Sequence, residues 1–251
     1  MSPRWGFKTP ISDYYYRYTA PLELLFDSPQ LRLLMKTALL VGATGLIGSQ
    51  LLPLLLASER YAKVTVVGRR ALPMQHSKLT QVVTELDQLA GLGPQLGADD
   101  VFCCLGTTIG QAGSREAFYK VDFQYVLALA TLAAGHGATQ FLVVSSMGAD
   151  ADSRVYYTQV KGEMEAAVRQ VPFRAIHLFR PSLLLGERAQ PRLGERVGAA
   201  VLGALTPLLR GPLRQYRPVS SAAVAAAMLR AAAESGSGVR VHSSDELTPA
   251  T

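Results

Sequence analysis

Cysteine is scarce in this chain: two in 251 residues, adjacent at Cys103 and Cys104. Neighbours in sequence cannot staple a small secreted framework, and two thiols do not make a four-ligand zinc site. A reducing cytoplasm is therefore the expected compartment. The four histidines, His76, His136, His177 and His242, show no metal-ligand spacing, so no metal is expected. Long apolar runs are missing too. Leu51–Ala57 and Val197–Leu209 both fall short of the roughly 20 residues a bilayer requires. Arg4 and Lys8 lead into Tyr14-Tyr15-Tyr16-Arg17, not into the apolar core of a secretory signal. The charge excess is modest, +6 from 25 basic and 19 acidic residues, with no basic stripe interleaved with aromatics and no zinc-finger spacing. Nucleic acid is not an expected partner. No Gly-x-Ser-x-Gly elbow occurs, which argues against a serine hydrolase.

What the chain does hold is apolar substance, 49% hydrophobic against 18% charged, enough for a large core. Residues 1–36, rich in Pro, Tyr and charge, read as an N-terminal extension that is peripheral or not native. Met35, just before the first strand, marks an alternative start. From Thr37 short apolar strands alternate with helical stretches. Strands are expected at 37–41, 63–67, 79–83, 100–104, 140–145, 174–179 and 239–242. Helices are expected at 45–58, 115–134, 153–171 (capped by Ser153), 194–209 and 220–234. Pro53 should kink the first helix or leave a carbonyl unpaired. Strands without polar alternation are buried on both faces, and strand–helix alternation gives right-handed crossovers. The expected fold class is therefore α/β, a doubly wound parallel sheet (Rossmann fold) over 37–251, with a small C-terminal substrate lobe mainly at 183–218.

The first strand runs into Gly42-Ala43-Thr44-Gly45-Leu46-Ile47-Gly48. Glycines there allow a tight turn, close approach of a diphosphate and tight helix–strand packing, while the helix N-terminus offers free N–H groups. Ser49 replaces the lysine of a nucleotide-triphosphatase loop. The second strand ends at Gly68-Arg69-Arg70, where an acid would bind the adenosine ribose of NAD. Two arginines suit a 2′-phosphate instead, so NADP is the expected cofactor and NAD the less favoured one. Asp87 reads as a solvated loop acid or an approach to adenine. Leu105, Gly106 and Thr107 leave the fourth strand at the sheet edge where ligands bind, or serve as a plain turn. Cys103 and Cys104 read as small buried hydrophobes.

Tyr157 and Lys161 stand four apart, on one face of a helix. A phenol is a poor proton donor at neutrality; an ammonium about 4 Å away contributes about 4 kcal/mol at an effective dielectric near 20, an upper bound of about three pKa units. That brings the phenol towards the range where acid–base work is efficient. Ser145 and Ser146 end the fifth strand at the same edge, where a hydroxyl can bond a reacting oxygen or cap the turn. Seven arginines between Arg180 and Pro218, against Glu187 and Glu195, fit an anionic small-molecule substrate or an ordinary solvated surface.

Together these stretches resemble the short-chain dehydrogenase/reductase superfamily in its atypical or extended branch, and most closely its Tat-interacting oxidoreductase-like group. The resemblance runs from Thr37 to His242. It rests on Gly42–Gly48, Val67–Arg70, Phe102–Thr108, Ser145–Asp150, Tyr157–Glu163 and Phe179–Ser182. It implies Tyr157 as catalytic acid/base, Lys161 as its activator and ribose anchor, and Ser145, twelve residues before the tyrosine, as the third catalytic group. Arg180, Pro181 and Ser182 resemble the segment that passes the nicotinamide, and Tyr216–Val219 the return from the substrate lobe. Asp122 stands where relatives often have Asn. The expected function is an NADP-dependent oxidoreductase moving hydride between nicotinamide and a carbonyl or alcohol. The alternatives are an NADP(H)-binding regulatory or assembly protein, acting as a homodimer or with a protein partner, and an epimerase/dehydratase of nucleotide sugars.

Overall fold

The computed structural model describes residues 35–185 and 216–247. The first 34 residues, the expected helix at 194–209 and nearly all of the expected substrate lobe lie outside the described residues.

Seven strands form one parallel sheet: β1 (Lys36–Val41), β2 (Tyr61–Gly68), β3 (Leu79–Val83), β4 (Asp100–Cys103), β5 (Gln140–Val144), β6 (Ala175–Arg180) and, last in the chain, β9 (Gly238–Ser243). Their order is β3-β2-β1-β4-β5-β6-β9. The chain reverses its direction of travel between β1 and β4, the switch point at which such sheets bind ligands. Two short strands, β7 (Leu184–Leu185) and β8 (Val219–Ser220), pair in parallel outside the main sheet. The four central strands β1, β4, β5 and β6 carry almost continuous burial because helices cover both faces.

One core layer joins the sheet to α1 (Leu46–Ala57) and α6 (Ser221–Ala233), through Ile47, Leu51 and Leu55 on the first and Val224 and Met228 on the second. The opposite layer joins it to α4 (Tyr125–Gly135) and α5 (Tyr156–Val168), through Val126 and Leu129 and through Met164 and Val168. Ser220 caps α6 by accepting the Ala223 N–H.

One of these expectations is corrected and two are refined. Helix α1 runs unbroken through Pro53, which lies on its exposed side with Ser49, so the Ser49 carbonyl that loses its partner faces water. Ser153 does not cap α5. Its hydroxyl pairs with Thr158 Oγ1 at 2.7 Å, and the helix starts three residues later at Tyr156. The long helix expected at 115–134 is present without a gap but is not uniform: α3 (Arg115–Tyr119) passes into a π turn over Lys120–Gln124 that leads straight into α4, while α2 (Ile109–Ala112) lies just upstream. Phe118, Asp122 and Val126 are all buried at four-residue spacing.

Candidate active site

Gly42 follows β1 with φ +92°, a left-handed conformation natural to glycine, and a Cβ there would stand 2.5 Å from the Cys104 carbonyl oxygen. A Cβ on Gly48 would collide with the Gly42 carbonyl oxygen. These contacts draw the loop onto β4 and α1 onto β1. The N-cap Gly45 offers no side chain to the first N–H groups of α1. Gly42, Ala43, Thr44 and Gly45 form one wall of a cleft of about 850 Å³ at the carboxyl edge of the sheet. Gly68, Arg69 and Arg70 line its far end, with Leu105, Gly106 and Thr107 opposite. Leu46, Ile47 and Gly48 lie behind the wall in the first turn of α1, and Ile47 is buried in the core. Both arginines are exposed, and neither forms an ion pair among the described residues. Asp87 pairs with Lys120 at 2.8 Å at the rim.

Helix α5 places Lys161 behind the Gly106 wall of this cleft, while Tyr157, Lys161 and Ser145 are not among the residues that line it. Its Gly162 packs against the 150–151 backbone so closely that a Cβ would collide with the Asp150 carbonyl carbon, and the Asp150 N–H donates to the Thr158 carbonyl at 3.1 Å. Lys161 Nζ is buried, 3.5 Å from the Val144 carbonyl oxygen and 3.8 Å from where a Gly106 Cβ would stand. Tyr157 is half-buried with its ring 5.5 Å from that of Phe118, and its hydroxyl has no hydrogen-bond partner among the described residues. Tyr156 is occupied elsewhere: its hydroxyl donates to the Arg115 carbonyl at 3.2 Å, and the Arg115 guanidinium lies over its ring.

Ser145 and Ser146 are both buried, and neither hydroxyl has a hydrogen-bond partner among the described residues. Strand parity separates them. Phe141 and Val143 face the core layer of Met164 and Val168 on α5, whereas Leu142 and Val144 face the other. Continued by one step, that alternation gives Ser145 the side of α5.

Arg180, Pro181 and Ser182 are held in place by protein. Glu165 takes Arg180 with two hydrogen bonds, 2.9 and 2.7 Å, and this contact raises the guanidinium pKa. The Pro181 carbonyl accepts the Met147 N–H, and Ser182 bonds the Arg217 carbonyl and Ser244. Of the other arginines expected to meet an anion, only Arg217 falls among the described residues. Burial pushes the Cys103 thiol up to about 12 and Cys104 well above its usual value, the direction that disfavours the reactive thiolate.

Sequence reasoning underrated one residue. Asp122 is fully buried and forms an ion pair of 2.8 Å with Lys161, and its other oxygen accepts the Thr107 N–H at 2.9 Å. Burial alone would push the Lys161 ammonium down; Asp122 and Tyr157 outweigh it and raise the pKa. An acid in place of the relatives' usual Asn was the available signal.

A family model, "NAD dependent epimerase/dehydratase family", matches residues 38–245. The chain belongs to that family. Among curated relatives, Protein HTATIP2 of Rattus norvegicus is 39% identical over 174 residues, 68% of this chain and 72% of that protein. "Protein fmp52, mitochondrial" of Emericella nidulans is 33% identical over 181 residues, 68% and 76% of the two chains. The fold recurs in MoeE5, solved in complex with UDP-glucose and NAD, at TM-score 0.61 and 20% identity over 82% of this chain and 76% of that one. It also recurs in the UDP-N-acetylglucosamine 4-epimerase of Methanobrevibacter ruminantium M1, at TM-score 0.62 and 18% identity over 83% and 76%. A nicotinamide dinucleotide, the family's cofactor, fits the residues present: the glycine wall leaves no room for side chains, the cleft is of ligand size, and two buried hydroxyls lack partners. No helix among the described residues is long and apolar enough to cross a membrane.

Proposed function

We propose that this chain is an NADP-dependent oxidoreductase of the short-chain dehydrogenase type, acting on a small carbonyl or alcohol substrate. The observation that carries this reading is the junction of cleft and helix, where Lys161 of the Tyr157 helix lies buried directly behind Gly106 of the cleft wall.

When bound, the dinucleotide supplies the hydride donor or acceptor. The protein's own residues do the rest. Gly42–Gly48 and the first turn of α1 hold the diphosphate. Arg69 and Arg70, exposed at the cleft end with no acid between them and Gly68, are placed to bind a 2′-phosphate. This is the ground for NADP, although the family description and the neighbours' titles speak of NAD. Lys161 anchors ribose hydroxyls. Ser145 donates its unpartnered hydroxyl to the reacting oxygen, and Tyr157 passes the proton to or from that oxygen.

One observation favours a second reading, an NADP(H)-binding regulatory or assembly protein that works with a partner or as a homodimer. Asp122 already compensates the charge that would acidify Tyr157. The nucleotide-sugar reading rests on neighbours at 20% identity or less, which share the fold. Two free thiols, Cys103 buried and Cys104 half-buried, support a reducing compartment, the cytoplasm, whereas the fungal relatives are named mitochondrial.

The test has two parts. Thermal shift should show stronger stabilisation by NADPH than by NADH, and Arg69→Asp should reverse or erase the difference. A carbonyl screen with NADPH should then give turnover that falls at least about 100-fold in Tyr157→Phe. Turnover that survives the substitution removes the tyrosine's role, and a wild type inert across the screen favours the regulatory reading.

A further inference from the structure

The Asp122–Lys161 pair is almost wholly removed from water, with side chains 0% and 3% exposed. It sits directly behind the cleft wall. A Gly106 Cβ would stand 3.6 Å from Asp122 Oδ1, and the second carboxylate oxygen holds the N–H of Thr107, also in the wall. The π turn over Lys120–Gln124 keeps Asp122 at this point. Burying both ions is costly, and an Asn would accept the Thr107 N–H equally well without a charge. Hydrogen bonding therefore gives no reason for an acid here. What the acid adds is one negative charge against the ammonium.

A nicotinamide ring differs between its two redox states by one positive charge. We propose that Asp122 sets the cleft's preference between oxidised and reduced dinucleotide: by cancelling the Lys161 charge it lets the site hold the cationic, oxidised ring that a lone ammonium would repel. This rests on the dinucleotide reading above. Asp122 acts here as a charge-compensating residue, through Lys161.

The experiment is calorimetric titration of the full chain with NADP⁺ and NADPH, and with NAD⁺ and NADH, for wild type and Asp122→Asn. The ratio of Kd for the oxidised form to Kd for the reduced form should rise at least about fivefold in the variant, the scale of one uncompensated charge behind a thin protein wall. A purely structural role would weaken both forms alike and leave the ratio unchanged. Should Asp122→Asn fail to fold, Lys161→Gln carries the test with the opposite sign, since it removes the ammonium and leaves the carboxylate: the ratio should fall by a similar factor. A ratio within about twofold of wild type in a folded variant overturns the inference and leaves the dinucleotide reading standing. A wild type that binds none of the four overturns the dinucleotide reading, and the inference with it.

Discussion

His177 Nδ1 lies 2.9 Å from His242 Nε2, with both rings buried between β6 and β9. Gln140 contacts the far nitrogen of His177 at 3.1 Å, Phe179 stacks on His242 at 4.5 Å, and the Glu246 carboxylate lies 4.0 Å from His242. A hydrogen bond between two imidazoles needs one to donate and the other to accept, so the contact requires at least one neutral ring. Burial first, then His177 and Arg240, lower His242 to about 4; burial also lowers His177, against the opposing pull of Glu234 and Asp100.

The unfolded chain binds protons at these residues near pH 6.5, before the folded protein does. The contribution is therefore complete above pH 6.5 and is lost as the pH falls towards 4. Denaturant unfolding of wild type should weaken across that window. His242→Gln should flatten the decline by on the order of 2 kcal/mol. An identical pH slope in the variant counts against the pair.

Gly162 seats the Tyr157 helix on the 150–151 backbone. Gly162→Ala forces backbone to move against backbone, and no flexible side-chain end can give way. The expected cost is about 2–3 kcal/mol in urea unfolding, despite alanine's better helix propensity. A gain in stability would mean that helix and loop do not meet as described.

Ser145 offers a separation of stability from function. Its buried hydroxyl lacks a partner, so Ser145→Ala removes an unsatisfied group and should leave Tm unchanged or higher. Turnover in the carbonyl screen should fall at least about tenfold. Ser146→Ala, of opposite strand parity, should lose less. Equal losses would remove the distinction between the serines.

Much of this was legible in the chain. Apolar strands with short polar breaks announced a buried parallel sheet, and the Gly42–Gly48 run fell at the strand–helix turn that the structure shows. The four-residue spacing of Tyr157 and Lys161 survived because helix geometry is local. The π turn at Lys120–Gln124 was not legible: an apolar helical pattern looks the same whether or not one turn widens. Ser153 misled for a similar reason. A hydroxyl ahead of a helical pattern signals a cap, and here it found Thr158 instead.

The sequence by itself determined the fold class, the glycine loop and the Tyr–Lys pair, because each depends on residues close together along the chain. Tertiary structure alone decided which charges meet. Asp122 and Lys161 are 39 positions apart and meet where helix packs on helix, and Glu165 and Arg180 meet where helix packs on sheet. The strength of such contacts depends on burial and distance, and neither exists until the chain has folded.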